Sequence, residues 1–332
     1  MSLWLQFVGC TAAILYCGSN LSRYGDVIAE KTGLGRTWVG VILLASVTSL
    51  PELVTGISSV AVYNLPDIAV GDILGSCMFN ILIIALLDLV GGAAPISTRA
   101  HQGQVLTAAF GILLLGLVAI SLSAGKHAPA IGWFGVYSLV FLAVYFLAVR
   151  VVFLYEKNRL AEFVKEMAEE AQYGHISRSR AYGLFAANSA VIVLAAAYLP
   201  KIAAQIAEQT GLGQAFVGNT LVALSTSLPE LVVSVAALRI GAVDMVYGNI
   251  FGSNLFNILI LALDDLFYAK GPLLAHVSAG HIVPATAAMA LSAVAVIGLT
   301  YRTERKVLPL AWDALGIVAV YLFAMIVLYV TR

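Results

Sequence analysis

Residues 48–54 read Thr-Ser-Leu-Pro-Glu-Leu-Val, and residues 226–232 read the same seven residues again. Each copy lies inside a long apolar stretch and carries a carboxylate, Glu52 or Glu230. About 20 apolar residues span a bilayer as a helix, so both glutamates are expected deep within one. An ionised carboxylate there costs at least ~2.5–3.5 kcal/mol. Two such costs at matched positions point to a cation as the compensating partner.

Composition supports the membrane reading. Apolar residues make up 61% of the chain and charged residues 11%, whereas a soluble domain carries about 25% charged residues. Ten apolar spans can be placed, at 3–30, 35–62, 66–90, 103–123, 130–154, 182–208, 214–239, 244–267, 279–300 and 309–330. The expected fold is an all-α integral membrane protein with ten transmembrane helices. The first span is interrupted by Gly18-Ser19-Asn20, which predicts a kink. No Lys or Arg precedes its apolar run, so it is read as a span and not as a cleaved signal peptide.

The 18 basic and 18 acidic residues cancel, leaving no global field that would attract nucleic acid. Cys10, Cys17 and Cys77 lie in apolar spans without disulfide or metal-site spacing. The five histidines fall mostly near span ends, where wet interfacial positions explain them. With the N-terminus outside, thirteen Lys and Arg flank the inner ends of the spans and four the outer ends. The positive-inside bias therefore predicts both termini outside a cell (inner) membrane.

The repeat extends beyond seven residues. Residues 28–35 match 206–213 at a shift of 178, and after a one-residue gap residues 75–83 match 252–260. The chain divides into a first half (1–155, repeat about 28–90), a cytoplasmic linker (156–180) and a second half (181–332, repeat about 206–267). Each half has five spans. Five is odd, so the halves enter the membrane from opposite sides, and inverted repeats are a signature of secondary transporters with a midplane site. The linker mixes five basic residues with five glutamates, as a solvated segment or surface helix does.

Within the motif, Pro51 removes a backbone donor and frees carbonyls such as those of Ala45 and Val47. Thr48 and Ser49 lie four and three residues before Glu52, on its helical face. Hydroxyls, carbonyls and a carboxylate are hard ligands that suit sodium or calcium and not zinc or copper. The same reasoning gives Ala223, Thr226, Ser227 and Glu230. In the following spans Asp72, Ser76 and Asn80 form one stripe, repeated by Asn249, Ser253 and Asn257. Ser76, Asn80, Ser253 and Asn257 are read as ligands, and Gly71, Gly75, Gly248 and Gly252 as close-packing positions.

Two copies of Thr-Ser-Leu-Pro-Glu-Leu-Val, each followed by Gly-Ser-x-x-Phe-Asn, resemble the alpha repeats of the sodium/calcium exchanger family, within the cation/calcium antiporter superfamily. The ten-span layout is similar to its prokaryotic members. The resemblance implies antiport of calcium against sodium by alternating access, with no enzymatic activity and no cofactor. It implies Glu52 and Glu230 as calcium ligands, with Thr48 and Thr226 supplying backbone carbonyls. Sodium would use Ala45, Ser49, Ser76, Ala223, Ser227 and Ser253, with Asn80 opposite.

The chain departs from that pattern at Asn257, where prokaryotic exchangers typically carry aspartate, and at Asp72, where asparagine is typical. Two glutamates balance one calcium, two monovalent cations or two protons, and a third sodium would leave net positive charge in a low-dielectric site. Asp72 reads either as an accessory third charge or as an interfacial aspartate near a helix end. Burial disfavours the ionised form of a carboxyl group, so a proton/calcium exchanger is the close alternative. A passive cation channel, or a hydrolase using Ser49 or Ser227, is the remote one. The hydrolase lacks a histidine placed by sequence near either serine.

Overall fold

Pro66 opens the helix that organises the molecule. Proline at the first helical position costs no hydrogen bond, Asp67 in the first turn complements the helix dipole, and Gly91 caps the end. The computed structural model describes residues 2–32, 47–167, 176–303, 306 and 309–331, with side chains for all of these except 29–32 and 156–167. Eleven helices organise them: α1 (Leu3–Thr32), α2 (Leu50–Ile57), α3 (Pro66–Val90), α4 (Gln104–Ala124), α5 (Val136–Met167), α6 (Arg178–Thr210), α7 (Gln214–Thr226), α8 (Leu228–Arg239), α9 (Val243–Phe267), α10 (Ile282–Tyr301) and α11 (Trp312–Val330).

Seven of these helical segments are long and apolar enough to cross a membrane, and α7 with α8 forms an eighth, bent by 43°. Each of the ten expected spans coincides with a helix or helix pair among the described residues, though the span expected at 35–62 is described only from Val47 onward. The fold is an all-α membrane protein built from two repeats. α3 and α9, the most deeply buried of the long helices, sit at the centre. α1, α5 and α11 turn large apolar side chains such as Trp4, Phe146 and Phe323 outward, toward lipid.

Three local expectations are corrected. α1 is assigned as one helix through Gly18-Ser19-Asn20. The Ser19 and Asn20 side chains bond to carbonyls four residues back, and Gly18 makes room for Pro229, whose Cγ would lie 2.5 Å from a Cβ there. Residues 130–135 form a small antiparallel ribbon, Ala130–Ile131 with Phe134–Gly135, and the fifth helix starts only at Val136. His281 is fully buried rather than wet, with its Nε2 3.0 Å from Asp67 Oδ1. Ala45 and most of the 156–180 linker lie outside the described residues or side chains.

Four aspartates fix the two central helices in place, and they too are repeat-related, at a shift of 177. At the helix starts, Asp67 Oδ1 accepts from Ser278 N at 2.7 Å and Asp244 Oδ1 from His101 N at 2.6 Å. Each bond reaches the opposite half of the chain. At the helix ends, Asp88 accepts from Ile96 N (2.9 Å) and Ala311 N (2.8 Å), and pairs with Lys306 at 3.3 Å. Asp265 accepts from Leu273 N (2.6 Å), Gly135 N (2.8 Å), Tyr137 Oη (2.8 Å) and Ser138 Oγ (2.7 Å). At the helix ends, Asp88 and Asp265 satisfy buried backbone amides that would otherwise be stranded.

Candidate cation site

The repeated motif breaks its helix at the serine. Ser227 separates α7 from α8 with φ −88° and ψ 4°, and Ser49 precedes α2 with φ −87° and ψ 14°. Proline at the second helical position, Pro51 or Pro229, starts the new helix, and Glu52 or Glu230 falls in its first turn, where the dipole favours a negative charge. Pro229 strips a donor from the residue four before it, Ser225. The Ala223 carbonyl is therefore not vacated: Ser227 N donates to it at 3.1 Å, and Thr226 Oγ1 lies 3.2 Å from it.

The two breaks meet. Ser49 Oγ donates to Glu230 Oε1 at 3.2 Å, and Ser227 Oγ donates to Glu52 Oε1 at 3.1 Å. Each motif thus completes the other, and the site exists only where the halves face each other. Thr226 Oγ1 donates to Asp72 Oδ1 at 2.8 Å and lies 3.4 Å from Ser76 Oγ. Asp72 is fully buried, which excludes an exposed helix end.

On the far side, Asn80 Nδ2 donates to Asn254 Oδ1 at 3.0 Å, and Asn254 Nδ2 to the Cys77 carbonyl at 3.1 Å. Asn257 Nδ2 lies 3.8 Å from Cys77 Sγ. Ser253 and Thr48 are buried alongside.

Six oxygens of these residues are buried without any partner among the described residues: Glu52 Oε2, Glu230 Oε2, Asp72 Oδ2, Asn80 Oδ1, Asn257 Oδ1 and Ser253 Oγ. Native structures contain few unsatisfied buried polar atoms, and each calls for an explanation. Five of the six can only accept. A set made almost wholly of acceptors is the electrostatic complement of a positive ion. Among the described residues no three His, Cys, Asp or Glu side chains are gathered as a resident metal centre.

Comparisons with known proteins identify the family. The sequence profile of the family described as sodium/calcium exchanger protein matches residues 2–154 and 180–330. The chain belongs to the sodium/calcium exchanger family. The sodium/calcium exchanger MaX1 of Methanosarcina acetivorans is 29% identical over 338 residues, covering 92% of this chain and 93% of that protein. The fold is similar to the sodium-calcium exchanger NCX_Mj (TM-score 0.62, 22% identity, 98% of this chain and 99% of that one). It is also similar to the H+/Ca2+ exchanger CAX (TM-score 0.69, 13% identity, 100% and 86%).

Within this family member, sequence reasoning missed Asp67, Asp88, Asp244, Asp264 and Asp265. The 177-residue shift, carried beyond both ends of the matched segment 75–83, pairs four of them and is the signal that finds them.

Proposed function

We propose that this chain is a secondary antiporter that exchanges calcium for sodium by alternating access, with one cation site shared between the two halves. The reciprocal bonds Ser49–Glu230 and Ser227–Glu52, with a donorless oxygen left on each glutamate, carry this reading. Glu52 and Glu230 hold calcium, assisted by the backbone carbonyls of Thr48 and Thr226. Their two charges neutralise one divalent ion, which removes most of the cost of burying either.

Sodium uses Ala45, Ser49, Ser76, Ala223, Ser227 and Ser253, with Asn80 and Asn257 supplying amide oxygens. Asp72, tied to Thr226, supplies a third negative charge where Asn257 supplies none. The halves are residues 1–155 and 181–332, joined by a cytoplasmic segment at 156–180. Both termini face outward from the cell (inner) membrane.

Calcium uptake into proteoliposomes tests the assignment. An imposed sodium gradient is expected to drive uptake, and an imposed pH gradient alone is not. Uptake under the pH gradient only would replace sodium with protons. Uptake that needs no counter-ion at all would make the protein a channel.

A further inference from the structure

Asp264 has no role in anything described so far. It lies on α9 two turns beyond Asn257, on the same helical face. It is fully buried, and neither carboxylate oxygen has a partner among the described residues. Its repeat counterpart is Leu87, so the symmetry of the fold does not require an acid there. The adjacent Asp265 already anchors the neighbouring loops.

Its surroundings are acidic. The Asp264 carboxylate presses against Gly56 of α2, where a Cβ would come within 2.6 Å of Oδ1. Gly56 follows Glu52 by four residues, about one helical turn. The contacts Cys77–Asn257 and Asn80–Asn254 run in opposite directions along the two helices, so α3 and α9 cross antiparallel. Counting outward from that crossing brings Asp264 opposite the part of α3 that carries Asp72. Asp72 is fully buried there. Its Oδ1 accepts from Thr226, and its Oδ2 has no partner among the described residues.

We propose that Asp72 and Asp264 form an accessory sodium station beside Glu52, on the side of the central site where α2 and α9 end and α3 begins. That side carries three buried oxygens without a partner among the described residues: Asp72 Oδ2 and both oxygens of Asp264. Calcium takes six to eight oxygen ligands, more than the station offers, while a monovalent hard cation needs fewer and can keep water. Two unpaired carboxylates in low dielectric are strongly unfavourable, and sodium relieves that cost. The proposal rests on the reading of the central site as a cation site.

Equilibrium binding of radioactive sodium to the purified chain at saturating calcium is the test. Calcium fills the glutamate pair, so sodium that stays bound reports the station. The wild-type chain is expected to retain sodium. Asp264→Asn should weaken that component by about tenfold or more, and leave calcium affinity within about twofold.

Asp264→Leu, which copies Leu87 of the first half, should give the same loss in a folded chain. No calcium-resistant sodium in the wild type would overturn the proposal, as would its retention in both variants. Joint loss of sodium and calcium binding in both variants would overturn it too, assigning Asp264 to the central site or the fold. A failure of sodium-driven calcium uptake with this binding intact would count against the counter-ion and not against the station.

Discussion

The Ser227 hydroxyl, in the second half of the chain, donates to Glu52 Oε1, in the first, at 3.1 Å. Ser49 returns the bond to Glu230. Neither half therefore contains a complete site, and any motion that separates the halves dismantles it. On the proposed reading, an ion is held while the halves are apposed and released when one shifts against the other.

Replacing either glutamate by glutamine preserves shape and an oxygen that can accept from the serine, and removes the charge. Glu52→Gln and Glu230→Gln are each expected to reduce calcium uptake to the level of protein-free liposomes. Elution volume and helical content should be unchanged. Calcium uptake at the wild-type rate by either variant would remove that residue from the site.

On the proposed reading, the charge count at the site sets coupling. Asn257→Asp adds a charge beside Cys77 and is expected to steepen or reverse the voltage dependence of exchange, whereas Asp72→Asn should move it the other way. Current recordings from proteoliposomes on a solid support read both. An identical voltage dependence in wild type and both variants would show that these positions do not set stoichiometry.

Asp265 receives four donors from two separate segments. Asp265→Ala strands them in a buried setting, and each unsatisfied buried donor costs about 1–3 kcal/mol. The melting temperature in detergent is expected to fall sharply. A melting temperature equal to wild type would contradict the anchoring role.

Repeat-related glycines are not equivalent. At Gly71 a Cβ would sit 3.0 Å from Asn219 N and from Gly218 Cα, both backbone, whereas at Gly248 the nearest atom is the flexible Gln104 side chain at 3.8 Å. Gly71→Ala is expected to destabilise by about 1–3 kcal/mol, and Gly248→Ala to be nearly silent, in the same melting assay. Equal effects would contradict the packing asymmetry.

Much of this was legible in the sequence because membrane burial makes polar residues conspicuous. Glu52 and Glu230 stand out in apolar runs, and their identical neighbours reveal the duplication. The stripe Ser76–Asn80 follows from helical spacing. The serine-to-glutamate crossing was not legible, since spacing within a half says nothing about which groups meet across halves. Asp88 and Asp265 were passed over because an acid near a span end reads as interfacial, and only the fold shows their carboxylates turned inward onto loop amides. The interruption expected at Gly18-Ser19-Asn20 is absent because the helix continues through it, with Gly18 packed closely against Pro229.

The most direct test is crystallographic. Crystals of the wild-type chain grown in calcium or strontium, measured for anomalous scattering, should show one strong peak between the Glu52 and Glu230 carboxylates. That peak should be lost in Glu52→Gln. A peak bound to one half alone, or no peak between the glutamates at saturating ion, would contradict the shared site.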